Sequence, residues 1–240
     1  MDANIARKIR ALLKKAEGTQ FEEEANAFLR KAQELMMRHG IDEERLWATD
    51  PSRRHKIETI KINIPDNKSG AMSKRLMLSA IAQVNHCNMF YTPGKGESTV
   101  AGYPNDLLFV EMLYTSIVKQ MSFKEAMALA HSSTHHKTFR ANFSEAYAGR
   151  ISERLFENYR LAKQTISNET PGTAIALVDR KQEVDDWVRS KYRIKSSSSS
   201  GSSGRYDSGA RAAGRSAAET TDISGGRGGK LGSGKKALNA

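Results

Sequence analysis

The chain has 240 residues, enough for one or two domains, and 38% of them are hydrophobic, a density that supports an ordinary packed core once the Ser/Gly-rich C-terminal stretch is set aside. No apolar run reaches the ~18–20 residues that a membrane-spanning helix needs, and no basic-then-apolar leader opens the chain. The single Cys87 excludes an internal disulfide framework and suits a reducing compartment, so a cytoplasmic protein is expected, without membrane contact and with no motif that asks for a cofactor.

The net charge of +11 is unevenly placed. Residues 1–50 carry nine Lys/Arg against ten Asp/Glu, residues 51–195 carry 22 against 14, and residues 196–240 carry seven against three. The positive excess therefore belongs to the body and the tail, where its field favours polyanions such as DNA, RNA or acidic protein surfaces.

Residues 3–16 read as a first helix, with Ile5, Ile9, Leu12, Leu13 and Ala16 on one face, broken at Gly18. Thr19-Gln20-Phe21-Glu22 has the form of a capping box, in which the threonine hydroxyl and the glutamate satisfy each other's orphan amides. The second helix uses Phe21, Ala25, Phe28, Leu29, Ala32, Leu35 and Met36. It is predicted to end at His39-Gly40, where glycine accepts the left-handed cap and His39 faces the negative end of the dipole. Asp42 then caps a short turn, Glu43–Trp47. Residues 1–50 are thus expected to form a helical hairpin with one apolar seam.

The stretch KIRALLKKAEGTQFEEEANAFLRKAQELMMRHGI resembles a family of bacterial and phage proteins called domain of unknown function 2786. The likeness is carried by Lys8, Ile9, Leu12, Leu13, Ala16 and Glu17, then Glu24 and Ala25, and finally Ala32, Leu35, Met36, His39, Gly40 and Ile41. The remainder, to about residue 195, is similar to a companion domain that often follows it. The resemblance implies a phage or prophage setting and carries no established activity.

After the polar linker Asp50–Arg54, His55–Ile64 alternates, with Ile60, Ile62 and Ile64 opposite Lys61 and Asn63, as in a half-buried strand. A helix is predicted over Met72–Val84, using Leu76, Met77, Ala80, Ile81 and Val84. Asn88–Thr92 and Ser98–Tyr103 flank Pro93-Gly94-Lys95-Gly96, which is hairpin chemistry. Next comes a helix starting at Asn105 or Asp106, with Leu107, Val110, Leu113, Ile117 and Met121 on one stripe and a break near Ser122. Thr138–Gln164 is a long helix lined by Phe139, Phe143, Ala146, Tyr147, Ile151, Leu155 and Tyr159. Ala174–Val178 reads as a last strand, and Asp179–Tyr192 as a short amphipathic helix with Val184, Trp187 and Val188 as contacts. From Ser196 the composition cannot bury enough apolar surface to order itself, although Ser208–Thr220 is rich enough in Ala and Arg to turn helical on a partner. The expected architecture is α+β. It has a helical hairpin (1–50), an α+β core (51–195) with a three- or four-stranded, mostly antiparallel sheet and long helices on one face, and a disordered basic tail (196–240).

No catalytic constellation can be assembled. His131 and His135 have the i,i+4 spacing of metal ligands and His86 could add a third, but Ser132-Ser133-Thr134 suits a polar joint better than a helix. Gly229–Lys236 nearly spells a phosphate-binding loop, with Lys236 where the magnesium-binding hydroxyl belongs. Asp185 and Asp186 are adjacent on a helix and point apart. The basic residues are more informative. Arg53, Arg54, Lys74, Arg75, Lys95, Arg140, Arg150, Arg154, Lys191, Arg193, Lys195, Arg211 and Arg215 could form a track for phosphates, with Tyr91, Tyr103 and Tyr206 placed to stack on bases. The sequence thus favours a non-enzymatic, phage-type accessory protein that binds DNA or RNA with little sequence preference. The alternatives are a module docking a helical protein through residues 1–50 and a metal-dependent hydrolase using His131, His135 and His86.

Overall fold

The computed structural model of the chain describes residues 7–9, 11, 12, 15, 22–169, 173–194, 205–221 and 223. Three strands, β1 (Glu58–Asn63), β2 (Asn88–Tyr91) and β3 (Glu97–Gly102), form an antiparallel sheet in the order β1-β3-β2. The helices are α1 (Glu22–Thr49), α2 (Ala71–Val84), α3 (Pro104–Leu129), α4 (His136–Glu169), α5 (Thr173–Lys191) and α6 (Ser208–Glu219). Gly94 and Gly96 turn the β2–β3 hairpin with φ of 82° and 63°, a conformation in which a Cβ would be strained.

The alternation expected of the strands fixes their register. Ile60, Val100 and Met89 form one row across the sheet and pack into the main core, with Met77 and Ile81 of α2, Val110 and Ile117 of α3, and Phe143, Tyr147 and Ile151 of α4. The stripe predicted for α3 is buried throughout, as are Phe139, Phe143, Tyr147, Ile151 and Leu155 of α4. The neighbouring row, Lys61, Thr99 and Phe90, points to the opposite face. At one end of that face Ala101 and Phe90 pack with Val184 and Val188 of α5 and Trp47 of α1, so the helical layer of the main core is joined by partial cover on the other side. Cys87 is fully buried under β3, and a Cβ on Gly102 would collide with its sulfur.

Four elements differ from the sequence reading. First, α1 does not end at Gly40 but continues to Thr49. Met37 and Ile41 pack on Ala162 and Ile166 of α4, while Trp47 enters the α5 cluster. Packing on both sides of the glycine outweighs the roughly 1 kcal/mol that glycine costs inside a helix. Second, α3 is unbroken at Ser122, whose hydroxyl donates to the Val118 carbonyl of its own helix instead of capping a new one. Third, Ala174–Val178 is helix, not strand, and forms the start of α5; periodicity alone does not separate the two for a short apolar run. Fourth, Ser208–Glu219 is helical on its own chain. Asp207 caps it by accepting from the Ala210 amide at 2.9 Å, and Ala210, Gly214 and Ala218 are buried with residues of the main core. A Cβ on Gly214 would meet the Phe143 carbonyl, so glycine sets how closely α6 approaches α4. The first helix and the capping box lie largely outside the described residues. The described positions of 7–15 are helical, with Ile9 buried against Ala32 and Phe109.

Candidate functional site

The basic residues singled out in the sequence do not form one track. Arg75 is buried; it donates to the Ile64 carbonyl at 2.8 Å, pairs with Asp66 and lies over the Tyr91 ring. Arg154 is buried too and donates to the carbonyls of Ala218 and Thr221. Both are structural in this fold, and no phosphate reaches them as they stand. Others are compensated at the surface: Arg53 by Asp50, Arg54 by Glu183, Arg140 by Glu125, Arg150 by Glu219 and Glu153, Arg211 by Glu145, and Arg215 by Glu153. Lys74 is half-buried, whereas Lys95, Lys191 and Arg193 are exposed. Lys195 and the near-match to a phosphate-binding loop lie outside the described residues. Of the three tyrosines, Tyr206 is exposed beside Arg211, Tyr91 is covered by Arg75, and Tyr103 is buried.

The densest polar cluster surrounds Arg180 of α5, whose side chain is 0% exposed. Its guanidinium reaches Glu43 at 2.9 Å and Glu44 at 3.0 Å, both on α1, and Asp106 at the start of α3 at 2.9 Å. Its faces are closed by the rings of Tyr103 and Trp47, 4.2 and 5.2 Å away. Asn105 donates to Glu43 at 2.6 Å, and His39 lies 3.4 Å from the same oxygen. His39 therefore pairs with a carboxylate one turn on instead of capping the helix end. Burial pushes Glu43 up, but hydrogen bonds from His39 and Asn105 and the Arg180 charge hold it down at about 2. Burial wins at Asp106 and Glu44, which are raised despite the same guanidinium. Every donor and carboxylate named here has a protein partner, so the cluster's chemistry is to lock three helices together. Arg180 shares the stripe of Val184 and Val188 at i, i+4 and i+8. That spacing was the available signal that this arginine points inward.

The second arrangement lies on the outer sheet face. Phe90 stands in the row Lys61–Thr99–Phe90, and the Tyr192 ring packs on it with centroids 4.6 Å apart. Trp187 borders Tyr192 at 6.1 Å. Tyr192 is 37% exposed and Lys61 is exposed but paired with Glu97 at 2.9 Å, with Lys191 and Arg193 exposed on either side of the tyrosine and Lys95 at the hairpin tip. Sequence reasoning missed Phe90 and Tyr192. The strand alternation already put Phe90 opposite Met89, but nothing local tied it to a residue a hundred positions later.

The histidines do not converge. His131 and His135 are exposed on the joint between α3 and α4, whereas His86 is buried, with Nε2 3.3 Å from the Tyr159 hydroxyl. Among the described residues no group of three or more His, Cys, Asp or Glu is placed to hold a metal ion. Nor is any described helix long and apolar enough to cross a membrane.

No curated protein and no solved structure matches the chain. Residues 4–43 match the model of a family described as protein of unknown function (DUF2786), so the likeness read from the sequence holds for the head of the chain, up to the Glu43 that grips Arg180, and the match does not extend to a companion domain.

Proposed function

We propose that the protein binds single-stranded nucleic acid, with little sequence preference, across the outer face of its sheet, as a cytoplasmic accessory protein of the phage or prophage setting that the sequence resemblance implies. The observation that carries this reading is the partly exposed Phe90–Tyr192 ring pair in the same sheet row as Lys61. Exposed aromatic rings, here a pair tilted 45° to each other, offer a platform to any base, and the cations around them meet the phosphates on either side. Lys95, Lys191 and Arg193, with Lys61 once it exchanges its Glu97 partner for a phosphate, are the phosphate contacts in this reading, a smaller and differently placed set than the charge pattern alone suggested. Docking of a helical partner through residues 1–50 draws less support, because Ala32, Met37, Ile41 and Trp47 spend their apolar surface inside this chain.

Fluorescence anisotropy with labelled oligo(dT) and oligo(rU) tests the proposal. Four phosphate contacts to a single strand give a log–log salt slope of about −3. Tyr192→Ala should weaken binding by about tenfold or more through the lost stacking surface. Binding that is absent at low salt, or indifferent to Tyr192→Ala, refutes the assignment.

A further inference from the structure

We infer that the free edge of β1 pairs antiparallel with the same edge of a second copy of this chain, joining two three-stranded sheets into one. Just beyond β1, Ile64 donates to the Gly96 carbonyl at 2.8 Å, and in an antiparallel ladder such bonded pairs recur at every second residue. Ile60 and Ile62 therefore bond to β3, whereas the backbone N–H and carbonyl groups of Thr59, Lys61 and Asn63 point away from the sheet. Among the described residues no backbone group meets them.

Sheet edges are ordinarily blunted by a bulge, a proline, a very short strand or a lysine held over the rim. Strand β1 has six residues in unbroken register and no proline. Its one lysine, Lys61, is drawn inward across the sheet to Glu97 at 2.9 Å and leaves the rim bare. The opposite edge differs. Strand β2 has four residues, Asn88 is tied to Asp185 of α5 at 2.6 Å, and Arg75 covers the Tyr91 ring.

The surroundings of the bare edge are complementary to themselves. A twofold axis perpendicular to the sheet keeps each face on its own side. With Ile60 opposite Ile60 of the second copy, Thr59 faces Lys61 and no like charges oppose one another. The helix that packs on β1 and β3 is α3. On its side turned away from Ile117 it exposes Glu111, Thr115 and Lys119 at i, i+4 and i+8. Turned end for end, that stripe sets acid against base on both sides of a small residue. A foreign strand needs only the backbone, so it is this self-matching of strand and helix that selects a second copy. The twofold pair is closed, and the two outer faces run on as one surface with Lys61 of each copy beside the seam.

Sedimentation of the full chain without nucleic acid tests the pairing apart from the sheet-face reading. The mass should double as concentration rises. Thr59→Pro should abolish the dimer, because proline there removes an outward N–H and leaves the ladder with β3 intact. Lys119→Glu should weaken the dimer by about tenfold, and Glu111→Lys/Lys119→Glu should restore it, since the swapped charges match again. Hydrogen exchange reads the edge directly. Raising the concentration should slow the amides of Thr59, Lys61 and Asn63 and leave those of Ile60 and Ile62 as they were. A protein that is monomeric at every concentration refutes the inference. So does a dimer that leaves the Thr59, Lys61 and Asn63 amides unprotected or ignores the charge reversal.

Discussion

A guanidinium removed from water is stable only where its partners replace its hydration, and Arg180 meets that condition with three carboxylates and two ring faces. Replacing it leaves Glu43, Glu44 and Asp106 buried around a missing charge. Arg180→Met should therefore lower unfolding free energy by about 3–5 kcal/mol in a urea titration, whereas Arg54→Met, removing a half-exposed pair with Glu183, should cost about 1 kcal/mol or less. His86 allows a second test. It adopts a left-handed φ of 57°, and burial, reinforced by the charges of Arg180, Lys181 and Lys163, lowers its pKa from 6.5 to about 3. The unfolded chain thus takes up the proton first. Stability is full above about 6.5 and declines as pH falls toward 3. Asparagine tolerates the same backbone, so His86→Asn should flatten the fall in melting temperature between about pH 7 and pH 5. Glu43, depressed to about 2, adds a further loss only in stronger acid, as pH drops below 4.5 and through that value. Of these residues the sequence disclosed little. A buried charge is recognised by its partners, and those of Arg180 lie on two other helices.

At the scale of elements, legibility followed side-chain volume. The Leu107–Met121 stripe of α3 and the aromatic ladder of α4 were readable because each buried position carries a large apolar group. The helicity of α6 was readable but its docking on its own chain was not, because Ala210, Gly214 and Ala218 give almost no hydrophobic signal and that docking depends on close backbone approach and polar contacts at its two ends. The extension of α1 past Gly40 was hidden for a related reason: a local breaker was overruled by contacts with residues more than a hundred positions away. Two glycines make the distinction measurable. Gly149 sits inside α4 where an added Cβ would touch nothing within 4 Å, so Gly149→Ala should stabilise the protein by about 0.5–1 kcal/mol in thermal or urea unfolding. Gly214→Ala should instead loosen α6, seen as faster exchange of its amides, because its methyl group meets the Phe143 carbonyl.

Across the whole molecule, the charge asymmetry of the sequence becomes a distribution of locked pairs. Most of the arginines expected to form a track face a glutamate or aspartate, often from a distant element, as with Arg150 and Glu219 or Arg54 and Glu183. The uneven net charge was real, but where cations point depends on tertiary pairing, and composition does not encode that. The same long-range ties bind α1, α3 and α5 through Arg180, and α3, α4 and α6 through Lys124 and Arg154.

Cys87 gives this architecture a built-in clock. The chain's one thiol is 0% exposed, sealed beneath β3 with Gly102 against its sulfur, and burial raises its pKa well above the ordinary value. Alkylating reagents attack the ionised form, so modification must wait for the strand to lift away. In the native protein, labelling by an excess of iodoacetamide should proceed at the frequency of that opening and accelerate in Arg180→Met. Prompt labelling of the native protein would mean that the interior around β3 breathes far more often than its packing allows.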